Sequence, residues 1–333
     1  MPFKDPEAAC RLIFETFGAI PFWPQLPRRS FRENMYAQFS ERLPGLIIDD
    51  KEKSLHIDTS KAAEGIQEMY ERYIAGDVPF FAMSEEYAAG FYAFLDALKA
   101  KKSAGNIRYV KGHITGPVSF ALSLTDEKKQ SIIYNKELLE VLTKLLVMKV
   151  RWQVRKLKEL FPKVIIFIDE PYLVSIGSSY VNINIEEVSE RIGELINAIK
   201  EEGALCGIHC CGNTDWSFLL KRDVDIISFD AYNFINEFLL YADDVKGFLK
   251  KGGTIAWGVV PSSDSIDGES DASLESRLGK AIGMFKEKGI GDGISSLVTP
   301  SCGVGSLDER RAEKVLRLAG AVSARHRSGK PPA

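Results

Sequence analysis

Short apolar runs punctuate this chain, and most are followed by a long segment whose apolar residues recur at helical spacing. The runs fall at residues 19–22, 80–83, 107–111, 164–168, 205–211, 226–229, 254–259 and 297–299, which makes eight. Helical segments follow at 88–101, 185–200, 274–288 and 308–322. The clearest is 136–160, where Leu138, Leu139, Leu142, Leu145, Leu146 and Leu157 gather on one face. Strands alternating with helices across short connections predict parallel strands and right-handed crossovers. Eight such units predict closure into a single (β/α)8 TIM barrel. An open doubly wound sheet is the alternative, but it more often carries a glycine-rich phosphate loop after its first strand. No such loop follows 19–22, and Gly303-Val304-Gly305 lacks the third glycine, so it reads as a turn into the last helix.

A length of 333 residues suits two modest domains or one large barrel, and 45% apolar content argues against disorder. The 43 basic and 46 acidic residues leave a net charge of −3. That gives no basic surplus for phosphates or anionic lipid, so no nucleic-acid or membrane partner is expected. The opening MPFKDPEAAC has charges where a signal peptide needs an apolar run. A cytoplasmic location is therefore expected. There, five cysteines predict thiol or metal chemistry and not a disulfide framework. The barrel is expected over 1–322, with 323–333 as a frayed tail. One interruption occurs early: 46–49, the charged turn 50–53 and 54–58 read as an inserted β-hairpin ahead of a helix near 62–74.

The chemistry concentrates at the strand ends. In Gly207-Ile208-His209-Cys210-Cys211-Gly212, side chains two apart share a face, so His209 and Cys211 point together and Cys210 points away. Cys302, in Thr299-Pro300-Ser301-Cys302-Gly303, follows the last strand. Barrel closure brings all the strand tips to one rim, which is the catalytic face. An imidazole and two thiolates form a zinc set with one open position, the catalytic pattern. Asp230 follows the next strand at the same rim and offers a displaceable oxygen. Cys10, Cys206 and Cys210 read as packing residues, His113 as structural in preference to substrate-proximal, and His56 as surface. In Phe167-Ile168-Asp169-Glu170-Pro171 one acid is expected to be functional, Asp169, with the other capping a helix. Thr115, in the turn Gly112-His113-Ile114-Thr115-Gly116-Pro117, is a candidate substrate contact.

Taken in order, these segments resemble the catalytic half of cobalamin-independent methionine synthase and its relatives. Those relatives are the short core methionine synthases, the coenzyme M methyltransferases and the wider uroporphyrinogen decarboxylase superfamily. The matching pieces are Lys111-Gly112-His113-Ile114-Thr115-Gly116-Pro117-Val118, Ile168-Asp169-Glu170-Pro171, His209-x-Cys211-Gly212-Asn213-Thr214, 225–231 and 299–303. Pro21-Phe22-Trp23-Pro24-Gln25-Leu26-Pro27 looks like the opening of the core group. The resemblance implies a (β/α)8 barrel with catalytic zinc on His209, Cys211 and Cys302. It sets Asp230 where the family's fourth ligand, commonly a glutamate, stands. It also matches Asp169 to the acid that binds the amino group of homocysteine. Phe22 stands where methionine synthase has a serine, a departure at the amino-acid end of the site.

The implied reaction is methyl transfer to a thiol, most simply homocysteine to methionine. The chain has no room for the second barrel that helps hold polyglutamyl folate. A methylcorrinoid, free or on a corrinoid protein, is therefore the expected donor. Three other readings stay open at this point: methylation of coenzyme M, a metal-free uroporphyrinogen-type decarboxylase, and a corrinoid-binding scaffold without turnover.

Overall fold

The structure is a computed structural model that describes residues 1–101, 106–176, 183–290 and 294–328. Its strands are β1 (Leu46–Asp49), β2 (Ser54–Ile57), β3 (Val110–Thr115), β4 (Thr125–Asp126), β5 (Val164–Asp169), β6 (Leu205–Cys210), β7 (Ile226–Phe229), β8 (Thr254–Val260) and β9 (Ser296–Pro300). The helices are α1 (Pro6–Thr16), α2 (Thr59–Ile74), α3 (Glu85–Ala100), α4 (Pro117–Ser123), α5 (Lys136–Lys158), α6 (Ile185–Glu201), α7 (Trp216–Leu220), α8 (Ala231–Phe238), α9 (Ala242–Lys250), α10 (Asp271–Glu287) and α11 (Glu309–Ser328). No helix among the described residues is long and apolar enough to cross a membrane.

Six strands form one all-parallel sheet in the order β3-β5-β6-β7-β8-β9. Alternation along them creates two faces. Ile114, Ile166, Ile168, Cys206, Ile208, Cys210, Ile227, Phe229, Ile255 and Trp257 belong to the large apolar core shared with the helices. The intervening positions Ile165, Phe167, Ile226 and Ala256 form a small separate cluster with Ile20, Tyr109, Leu205 and Leu297. A second, enclosed apolar cluster on the opposite face is what curling of the sheet requires.

The curl is a half-barrel and not the closed eight-stranded ring that the eight apolar runs predict. The first run does lie parallel to β3: Lys111 N–H donates to the Pro21 carbonyl at 2.9 Å, Trp23 N–H to that of Lys111 at 3.3 Å, and Phe22 bridges Lys111. Pro21 and Pro24 have no N–H to give, which limits this ladder. The second run, 80–83, is not a strand. Val78–Phe81 is a 3-10 turn started by Asp77, whose side chain accepts from Phe80 N–H, with Pro79 at its beginning. Between the first run and β9 the sheet leaves a seam, and a cavity of about 480 Å3 occupies it.

The hairpin forms as expected, with Leu46 opposite Ile57 and Asp49 opposite Ser54. β4 adds to it through His56 and Thr125. The expected tail is corrected over its first part, since α11 continues to Ser328. Its last turns are held to α10 by Arg325, which pairs with Asp271 at 2.5 Å and Glu275 at 3.3 Å. Residues 329–333 lie outside the described residues.

Candidate metal centre

Parallel register sets Thr115, Asp169, His209 and Ser228 abreast on β3, β5, β6 and β7. All four are inward positions at the C-terminal ends of their strands. Cys211 follows β6 directly, and Cys302 lies just past β9. One donor atom from each of His209, Cys211 and Cys302 lies within 4.8 Å of the other two. Around one zinc with bonds of about 2.0–2.3 Å, donors sit roughly 3.5–3.8 Å apart. The three are therefore grouped at the scale one ion needs, and the distance between them in sequence is bridged by the curl of the sheet.

The surroundings hold each donor. His209 Nδ1 lies 3.0 Å from Ser228 Oγ, which fixes the ring and leaves Nε2 for the cluster. The Cys302 loop is tied to the turn after β8: Ser262 Oγ donates to the Cys302 carbonyl at 2.6 Å, and Ser262 N–H donates to Ser301 Oγ at 3.0 Å. The Cys211 turn is held where Thr214 Oγ1 donates to the Leu173 carbonyl at 3.1 Å. A hydrogen bond from Cys302 lowers the Cys211 thiol pKa against the effect of burial. The same hydrogen bond raises that of Cys302. Burial alone would lower the His209 pKa, but Cys302 and Asp169 raise it on balance. Cys10, Cys206 and Cys210 behave as packing residues: all are buried, and burial raises their thiol pKa values.

The two acids at the end of β5 face different partners. Glu170 is completely buried and caps α4, accepting from Val118 N–H at 3.0 Å, Ser119 N–H at 2.8 Å and Ser119 Oγ at 2.6 Å. Gly116 has to be glycine there, because a Cβ would fall 2.1 Å from Glu170 Oε1. Asp169 instead lines the cavity. Burial raises its carboxyl pKa while His209 and Lys111 oppose the shift.

Two expectations are corrected. Thr115 is 1% exposed and its hydroxyl donates to the Met35 carbonyl, so it has no hydroxyl proton to offer a substrate. Asp230 stands outside the cluster and caps α8, with Oδ1 accepting from Asn233 N–H at 3.0 Å and Oδ2 from Asn233 Nδ2 at 2.7 Å. Both oxygens are turned to the helix they start. His113 is packed in place on the cavity wall: it stacks on Trp23 at 3.9 Å between ring centroids, and Gln153 Oε1 accepts from both its backbone N–H and Trp23 Nε1. Ser228 was missed by sequence reasoning, although its alternation with Asp230 on a short strand marks it as inward-facing.

In comparisons with known proteins, no family model matches the chain and no curated protein matches its sequence.

Proposed function

We propose that this protein is a zinc-dependent methyltransferase that moves a methyl group from a methylcorrinoid to a thiol, with homocysteine giving methionine. The observation that carries the reading is the grouping of His209, Cys211 and Cys302 at the rim of a cavity. Three soft donors with no fourth protein ligand among the described residues match a catalytic rather than a structural zinc set. His209, Cys211 and Cys302 would hold the zinc, which would supply a lowered pKa to a substrate thiol, about 8.5 when free, at neutral pH.

The chain's own residues do the rest. Ser228 holds the His209 ring in place, and the loop bonds of Ser262 and Thr214 hold the two sulfurs. Asp169 offers a carboxylate to the substrate ammonium, a charge-assisted contact that favours an amino-acid thiol. In the net reaction the donor's carbon–cobalt bond breaks, a carbon–sulfur bond forms, and the thiol proton goes to solvent. The half-barrel is read as a (β/α)8 fold with an open seam, because the stretch beginning at Ala19 already runs parallel along β3. A cytoplasmic setting belongs to the same reading.

Purified protein should hold about one equivalent of zinc, lost in Cys211→Ala and Cys302→Ala, and should make methionine from methylcobalamin and homocysteine. Zinc retained at the wild-type level in both variants removes the metal centre. Methylation of coenzyme M but not homocysteine keeps the chemistry and changes the acceptor. A zinc-free protein that decarboxylates a tetrapyrrole acid overturns the reading.

A further inference from the structure

Beyond the metal centre the cavity continues along the inner face of β3 to Lys111. Lys111 is partly buried, and among the described residues its ammonium makes no ion pair. It rests instead on aromatic faces, 4.6 Å from the Phe167 ring centroid and 5.7 Å from that of Phe22. Arg108 and Arg327, also on the cavity wall, are exposed and keep their water. Met1, also on the wall, gives its amino terminus to the Gln25 carbonyl, so Lys111 is the cationic side chain drawn inward, and two ring faces replace only part of its lost hydration. His113, the next inward residue on β3, is held below its ordinary pKa by burial, by Lys111 and by the amino terminus of Met1.

The position fits a substrate group. Phe167 lies one inward position nearer the rim than Ile165, the register partner of Lys111, so the ammonium leans toward the metal centre. Lys111 and Thr115 are four residues apart, roughly 13 Å of strand, and Thr115 is level with Asp169 and His209. A lysine side chain and a four-carbon amino acid fill that interval between them. Asp169 lines the same cavity as Lys111, which therefore presents one anionic and one cationic group near three soft donors.

We infer that Lys111 receives the carboxylate of the acceptor, so that Lys111 and Asp169 clamp a zwitterionic α-amino acid whose sulfur reaches the metal centre. The inference rests on the thiol-acceptor reading above. It makes Lys111 a specificity-determining residue that selects amino-acid thiols over amines lacking the carboxylate.

Titration calorimetry tests this on zinc-loaded protein with L-methionine and with 3-(methylthio)propylamine, which is methionine without its carboxylate. Wild-type protein should bind methionine about 10- to 100-fold more tightly than the amine, the size of one charge-assisted contact. Lys111→Met should bind both compounds equally weakly and keep its full zinc content. A wild-type protein that binds the two alike overturns the inference, whether or not the variant folds. So does a Lys111→Met protein that keeps the preference for methionine. Zinc content is read in the same samples. If it is normal, only the role of Lys111 has failed; if it is absent, the metal centre has failed with it.

Discussion

On the outer face of the large sheet Ile166, Ile168, Ile208, Phe229 and Trp257 are fully buried beneath the helices. On the inner face the same strands present Lys111, His113, Asp169, His209 and Ser228 to a cavity. One residue of shift along any strand passes from one chemistry to the other. The outer face meets helices on every strand and gains stability from dense apolar contact. The inner face is filled at its base by a small apolar cluster and left polar toward the rim. Groups that would be costly in the outer layer are tolerated there because the open seam admits solvent or substrate.

Substitution at matched depth tests that division most strongly. Trp257 packs edge-on against Phe285 at 5.1 Å and Phe229 at 5.8 Å between ring centroids. Trp257→Ala should cost about 3–5 kcal/mol in denaturant unfolding, through lost transfer energy and the cavity left behind. Cys302→Ala, measured in metal-free protein, should cost less than about 0.5 kcal/mol, since the residue is exposed and its loop is held by backbone and serine contacts. Similar costs for the two would show that the rim is structural after all.

A smaller effect separates holding a ligand from being one. Ser228 touches His209 and is 3% exposed, yet it belongs to neither apolar cluster. Ser228→Ala should weaken zinc binding about 10- to 100-fold in competition with a chelator, leaving the melting temperature of metal-free protein nearly unchanged. A loss of stability without a loss of affinity would move Ser228 to the structural side.

Much of this arrangement is legible in the sequence because alternation and helical spacing are local signals. The hairpin at Leu46–Asp49 and Ser54–Ile57, the long helix α5 and the shared direction of His209 and Cys211 all follow from neighbours in the chain. What escapes is decided by contacts from far away. The run at 80–83 has strand-like composition, but Asp77 and Pro79 turn it into a 3-10 element. Thr115 looks available until the Met35 carbonyl, 80 residues distant, takes its hydroxyl proton. Asp230 sits at the right rim, but Asn233 turns its carboxylate toward α8. The cationic side chain of Lys111 gave no warning that it would be drawn inside, since only the curl of the sheet brings Phe22 and Phe167 around it.

The molecule withdraws two lysines from solvent, Lys111 in part on the inner face and Lys149 fully on the outer. Lys149 on α5 is completely buried on the outer side, where its ammonium donates to the Phe81 carbonyl at 3.4 Å. Burial lowers its pKa from 10.5 to about 7, with Glu41 opposing and Arg42 assisting. Between about pH 7 and 10.5 the unfolded chain therefore binds more protons at this site than the folded one. Stability contributed by this group must rise with pH across that window, and the cost is greatest below it. Lys149→Met keeps the volume and removes the charge, so it should raise stability at neutral pH by about 1 kcal/mol or more. It should also flatten the rise in melting temperature between about pH 7 and 10 that wild-type protein shows. No pocket group depends on Lys149, so zinc content and methionine affinity should stay at wild-type levels. If Lys149→Met instead weakened methionine binding, the outer layer would be coupled to the cavity and the separation of the two faces would fail.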